Sequence, residues 1–105
     1  MSQPLGRRFA VHISDRATAD LEQICAYIAR DSPANAVRMR AKLERAIDAL
    51  AFMPRRHPFA PEQRRTGGDV RHVIVWPFRV VYEVRARSVQ VHLVRHGAMM
   101  PADDL

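Results

Sequence analysis

Apolar residues change their spacing once along this chain, and that change limits the folds open to it. From Leu21 to Leu50 they recur three and four apart; from Val70 to Leu93 they alternate. The first period belongs to a helix lying on a core, the second to a half-buried strand. A chain that reads both ways in separate stretches is neither all-α nor all-β. With 105 residues it is expected to build one modest core and a single domain over residues 1–105, with the core of that domain at about 9–98.

The helical stretch divides in two. Ser14 or Asp15 offers a first N-cap, and Leu21, Ile24, Cys25 and Ile28 follow as one stripe. Asp31-Ser32-Pro33 ends that helix and opens another, with Ser32 as cap and Pro33 at the first helical position. Ala36, Met39, Leu43, Ala46, Ile47 and Leu50 form the second stripe, which Pro54 stops. So short a break predicts an antiparallel αα-hairpin. Phe9–Ile13 reads as a short strand ahead of it. Residues 53–69 then make a Pro- and Gly-rich connection carrying Arg55, Arg56, His57, Glu62, Arg64 and Arg65. At about 17 residues it is longer than ordinary connections, so it is either functional or mobile.

Three strands follow, over 70–76, 78–85 and 89–95, with turns at Pro77 and at Ala86-Arg87-Ser88. Phe78, Val80, Tyr82 and Val84 share one face; Arg79, Val81, Glu83 and Arg85 share the other. In the last strand Val89, Val91 and Leu93 oppose Gln90, His92, Val94 and His96. In the first, His72, Ile74 and Trp76 oppose Arg71, Val73 and Val75. Trp76, Phe78 and Tyr82 read as core or turn packing. The order is β-α-α-β-β-β, an α+β fold: a helical hairpin packed on one face of a small, mainly antiparallel sheet. The face away from the helices is expected to gather Arg71, Arg79, Glu83, His92 and His96.

Charge narrows the partner. There are 17 basic and 11 acidic side chains, a net +6, and Lys42 is the only lysine. The arginine fork pairs two-pronged with phosphate or carboxylate, so an anionic partner is expected: nucleic acid or an acidic protein. The lone Cys25 excludes an internal disulfide and a Cys-rich zinc site. The charged start, Met1–Arg8, lacks a following apolar run, so no secretory signal is expected and the cytoplasm is the natural compartment. No apolar run reaches a membrane span's length, so no membrane contact is expected. Neither a Gly-rich phosphate loop nor metal-ligand spacing is present, so no metal and no cofactor are expected.

RNA cleavage needs a base for the 2′-hydroxyl, a cation for the phosphate and an acid for the leaving oxygen. Arg79 suits the cation, His96 the acid or base, and Glu62 or Glu83 a base. An Arg/His/Glu set on a half-exposed sheet face is more often plain solvated surface than a catalytic site. Arg79 also has a purely structural use, pairing with Glu83 or a C-terminal acid such as Asp103.

Three segments together are similar to one family. Ala19–Ile24 with Tyr27–Ala36 resembles an Asp-Leu-Glu-x-Ile helix and its Ser-Pro break. Phe78-Arg79-Val80-Val81-Tyr82-Glu83-Val84 resembles a Tyr-Arg-Val-x-Tyr-x-Val strand. Val91–Gly97 resembles a closing Val-x-His-Gly strand. On these residues the chain resembles the RelE/ParE superfamily of type II toxin–antitoxin toxins over about 9–98. The resemblance implies a bacterial toxin neutralised by a cognate antitoxin, an extended and often acidic partner. It implies one of two targets. ParE-like members bind DNA gyrase; RelE-like members cut mRNA on the ribosome. The lysine pair of the RelE type is absent, and the long paired helices and the Arg-His-Gly ending look more like ParE. The expected target-binding residues are Arg71, Arg79, Arg95 and His96. Under the ribonuclease alternative Arg79, His96 and Glu62 are the catalytic set.

Overall fold

A computed structural model describes residues 8–105, with the backbone alone at Arg65. The charged start, Met1–Arg7, lies outside the described residues. Strand β1 (Ala10–Ile13) leads into helices α1 (Asp15–Ala29) and α2 (Pro33–Asp48). A one-turn helix α3 (Gln63–Thr66) then precedes strands β2 (Val70–Val75), β3 (Phe78–Val84) and β4 (Ser88–His96). Apart from the one-turn α3, which lies unpredicted within the 53–69 connection, the β-α-α-β-β-β order read from the sequence is the order found.

The helix starts follow their caps. Ser14 Oγ accepts from the Ala17 amide at 3.0 Å, and Ser32 Oγ accepts from the Asn35 amide at 3.2 Å with Pro33 just inside. α2 ends earlier than Pro54 suggests, at Asp48, and tightens into a 3₁₀ turn over Ala49–Ala51. The sheet order is β1-β4-β3-β2: β2, β3 and β4 form an antiparallel meander, and β1 joins β4 in parallel. Leu21, Leu43, Ile47 and Leu50 bury against Val80, Tyr82, Val84, Val89, Val91 and Val94, making a two-layer core.

Val94 in that core, where the sequence places Leu93, marks a change of register. Val81 pairs with Leu93, but Tyr82 pairs with Val91, so His92 has no partner across the ladder. One extra residue at a β-bulge reverses the facing of everything beyond it. Ser14 Oγ donates to the carbonyl of His92 at 2.8 Å, so one hydroxyl both caps α1 and holds the bulge. Ser14→Ala removes both contacts and should cost about 1–2 kcal/mol; urea unfolding reads it, and an unchanged midpoint would sever the link between cap and bulge.

The outer face is not open. Val70, Val81 and Leu93 form a second buried cluster there with Ala60 and Ala102, and the half-buried Leu105 packs against it. The connection over 53–69 is structured and forms one flank of this cover. It holds a 3₁₀ turn at Pro54–Arg56 and α3, and it bonds to β2 through Ala60 N to the Val70 carbonyl and His72 N to the Pro58 carbonyl. The C-terminal tail forms the other flank. Among the described residues no helix is long and apolar enough to cross a membrane.

Candidate functional site

Arg79 leaves β3 on the outer face, as the alternation predicts, and is buried there. Its partner is neither Glu83 nor Asp103 but Glu62, from the turn before α3. Nη1 donates to Oε1 at 2.9 Å and Nη2 to Oε2 at 2.6 Å, a two-pronged pair with Glu62 fully buried. The Ala102 amide adds a third bond to Oε2 at 2.9 Å. His72 Nδ1 lies 3.4 Å from Nη1. The pair thus joins three parts of the chain: the connection, the sheet and the tail.

Its electrostatics follow from this. Burial works to raise the Glu62 carboxyl, but the Arg79 fork and the Ala102 amide outweigh it and hold it at about 2. Burial, with the Arg79 charge beside it, pushes His72 below the ordinary histidine value. Among the described residues no buried side-chain nitrogen or oxygen lacks a hydrogen-bond partner.

The five residues expected on the outer face do not all meet there. Arg79, Glu83 and His92 do; His92 Nε2 and Glu83 Oε1 are 2.9 Å apart. Gly68 makes room for this pair, since a Cβ on it would stand 2.7 Å from Glu83 Oε2. Arg71 does not. It pairs in register with Tyr82 and shares the face of Val73 and Val75, toward the helices. There it staples the connection: Nε donates to Asp69 at 2.7 Å and Nη1 to the Arg55 and His57 carbonyls. Its guanidinium lies 4.2 Å over the Phe59 ring.

His96 does not reach the outer face either. The bulge at His92 turns it toward the helix side, where it packs edge-on against Phe78 with centroids 5.7 Å apart. It borders a cavity of about 250 Å³ with Arg16, Asp20 and Gln23 of α1. Arg79 and His96 therefore sit on opposite faces of the sheet. Arg95 stands opposite Arg79 in register and donates to the Met100 carbonyl.

Sequence reasoning missed one surface. Tyr82 is fully buried and gives its hydroxyl to the Pro54 carbonyl at 2.6 Å. Trp76, expected in packing, is 82% exposed. It stands beside Ile74, Pro77, Met99 and Pro101, which line a cavity of about 480 Å³ at the end of the β2–β3 hairpin. The signal was present in Trp76-Pro77, because a turn residue at a hairpin tip has no opposing layer to bury against.

The chain matches a family model described as "ParE toxin of type II toxin-antitoxin system, parDE" over residues 11–101. It is 36% identical over 85 residues to "Toxin RelE2" of Caulobacter vibrioides, covering 81% of this chain and 91% of that protein. Its fold is similar to that of a chain of the "Chromosomal ParDE TA system from P. aeruginosa". The TM-score is 0.68 at 18% identity, over 87% of this chain and 98% of that one.

Proposed function

The chain belongs to the ParE toxin family of type II toxin–antitoxin systems, and from that membership we propose that it stops growth by docking on DNA gyrase. Membership of the RelE/ParE superfamily carries with it a cognate antitoxin as partner. The gyrase target is our reading.

One observation carries it: Glu62 occupies the fork of Arg79. A phosphate clamp needs those nitrogens free for the growing charge of the transition state. A carboxylate held at about 2 is also far from the near-neutral match of an efficient general base. His96 lies across the sheet from both. Clamp, base and acid thus have no common point to act on, which supports binding over cleavage.

The docking anchor in this reading is Trp76. Binding energy concentrates in aromatic side chains flanked by apolar neighbours, and Trp76 with Ile74, Met99 and Met100 has that character. His96, exposed at the same end of β4, remains a target contact in the proposal. Arg71, Arg79 and Arg95 serve instead as its support.

Pulse labelling after induction without antitoxin tests the target. Thymidine incorporation should fall before methionine incorporation. With purified gyrase, Trp76→Ala should weaken inhibition about thirtyfold, as loss of a hot spot worth about 2 kcal/mol does. Its melting temperature should stay put, since Trp76 is exposed. The name of the Caulobacter relative, RelE2, belongs to the mRNA-cutting alternative. If methionine incorporation falls first and ribosome-bound mRNA is cut, that alternative replaces ours, and Arg79, His96 and Glu62 become the residues to mutate.

A further inference from the structure

Outside its buried stripe, α2 has two unlike flanks. Ala36, Leu43 and Ile47 point into the core. On one flank Val37 and Arg40 border a shallow groove with Cys25, Ala26 and Ala29 of α1. Glu44 and Asp48 fall on this side by the helical period, and Glu44 pairs with Arg40 at 3.5 Å. The opposite flank carries Arg38, Lys42 and Arg45 at i, i+4 and i+7. At 3.6 residues per turn these three lie within about 60° of one another around the axis.

All three are exposed. Among the described residues none is ion-paired; Arg38 bonds only to the neutral Asn35. The exposed large apolar residue of α2, Val37, is on the other flank. A protein partner is usually anchored by an aromatic or aliphatic group at the centre of its patch. This flank offers charge without such an anchor, which suits a polyanion held by its backbone. The stripe runs about 10 Å along the helix axis. A DNA strand carries one phosphate per about 3.4 Å of duplex axis, so about three phosphates lie within reach.

We propose that this flank of α2 binds the phosphate backbone of duplex DNA without reading its sequence. The choice of DNA over RNA rests on the gyrase reading, because gyrase works on duplex DNA. Three cations on three phosphates release three counterions' worth of salt dependence. The stripe thus contributes about −2.7 to the slope of log K against log salt.

Fluorescence anisotropy of a labelled DNA duplex of arbitrary sequence, with the purified full chain over about 50–200 mM salt, tests this. No gyrase is present, so the result stands apart from the gyrase reading. Replacing Arg38, Lys42 and Arg45 together by Gln should make the slope shallower by about 2.7 and weaken low-salt binding at least about tenfold. Each single replacement should remove about 0.9 of slope, which keeps the test available should the triple variant fold poorly. A matched control replaces Arg30, Arg85 and Arg87 by Gln, taking the same charge from elsewhere, and should bind almost as the unaltered chain does. The proposal is overturned if the unaltered chain does not bind, or if the control loses as much as the stripe variant. Tighter binding of an RNA duplex or of poly-glutamate at equal charge also overturns it, and hands the flank to RNA or to an acidic protein.

Discussion

Glu62→Ala should cost about 3–5 kcal/mol of folding free energy, the loss typical when one member of a buried ion pair is left alone. Arg79 is then a buried cation without its counterion, and the Ala102 amide loses its acceptor. At about 4–8 °C per kcal/mol for a domain near this size, the melting temperature should fall by about 12 °C or more. Arg79→Ala should do comparable damage, because it strands a fully buried carboxylate. The two losses should not add. Glu62→Leu combined with Arg79→Met removes both charges and should recover all but about 1–3 kcal/mol, the share of the unpaired Ala102 amide. Urea unfolding of the single and double variants measures this. If the double variant loses the sum of the singles, the pair is not the coupled lock described here.

Acid should undo the same lock. The Glu62 carboxyl lies at about 2 in the fold, against 4.5 for a free glutamate. A depressed carboxylate stabilises the folded state fully above the unfolded value and loses that contribution as pH falls through the folded one. The window is therefore pH 4.5 down to about 2. Across it the loss amounts to about 3 kcal/mol, at 1.36 kcal/mol for each unit of displacement. Glu62→Gln keeps the shape and cannot ionise, so its stability should be lower near neutrality and nearly flat through this window. Parallel acid profiles for the two proteins would mean that another carboxylate governs the transition. The Asp104 carboxyl also lies below its ordinary value through Arg16, but it is exposed and contributes little.

The lock has a consequence for function. Glu62, on a connection rather than on a strand, decides whether Arg79 is free. The gyrase reading and the stability predictions therefore share one contact. A chain in which Glu62 is removed is less stable, and it also presents Arg79 without its carboxylate. Measurements of toxicity on Glu62 variants need the melting temperature beside them.

Much of this architecture was legible in the sequence. Ser14, Ser32 and Pro33 signal the helix starts because caps and proline act on neighbouring residues. The stripes through Leu43 and Ile47 and the alternation through Val80, Tyr82 and Val84 each repeat one period, so their inward faces can be read without partners. Arg79 was rightly placed on the face away from the helices by the same rule. The family resemblance rests on such local motifs, and the family model and the 36%-identical relative bear it out.

What the tertiary structure alone decided lies across the ladder or between distant parts of the chain. Side chains on a strand alternate, so one unpaired residue inverts all that follow. His92 is that residue, and nothing in Val91-His92-Leu93-Val94 announces it, because a bulge exists only relative to the partner strand. It sends Leu93 outward, Val94 inward and His96 away from Arg79. The partner of Arg79 is likewise 17 positions away on an irregular connection, where no period carries information. The sequence thus determined the main elements, their order and the inward stripes of the helices and of β3, since those follow from forces between near neighbours. Which charged groups meet was decided by long-range pairing and by the burial of Glu62, where an unpaired carboxylate is too costly to leave alone.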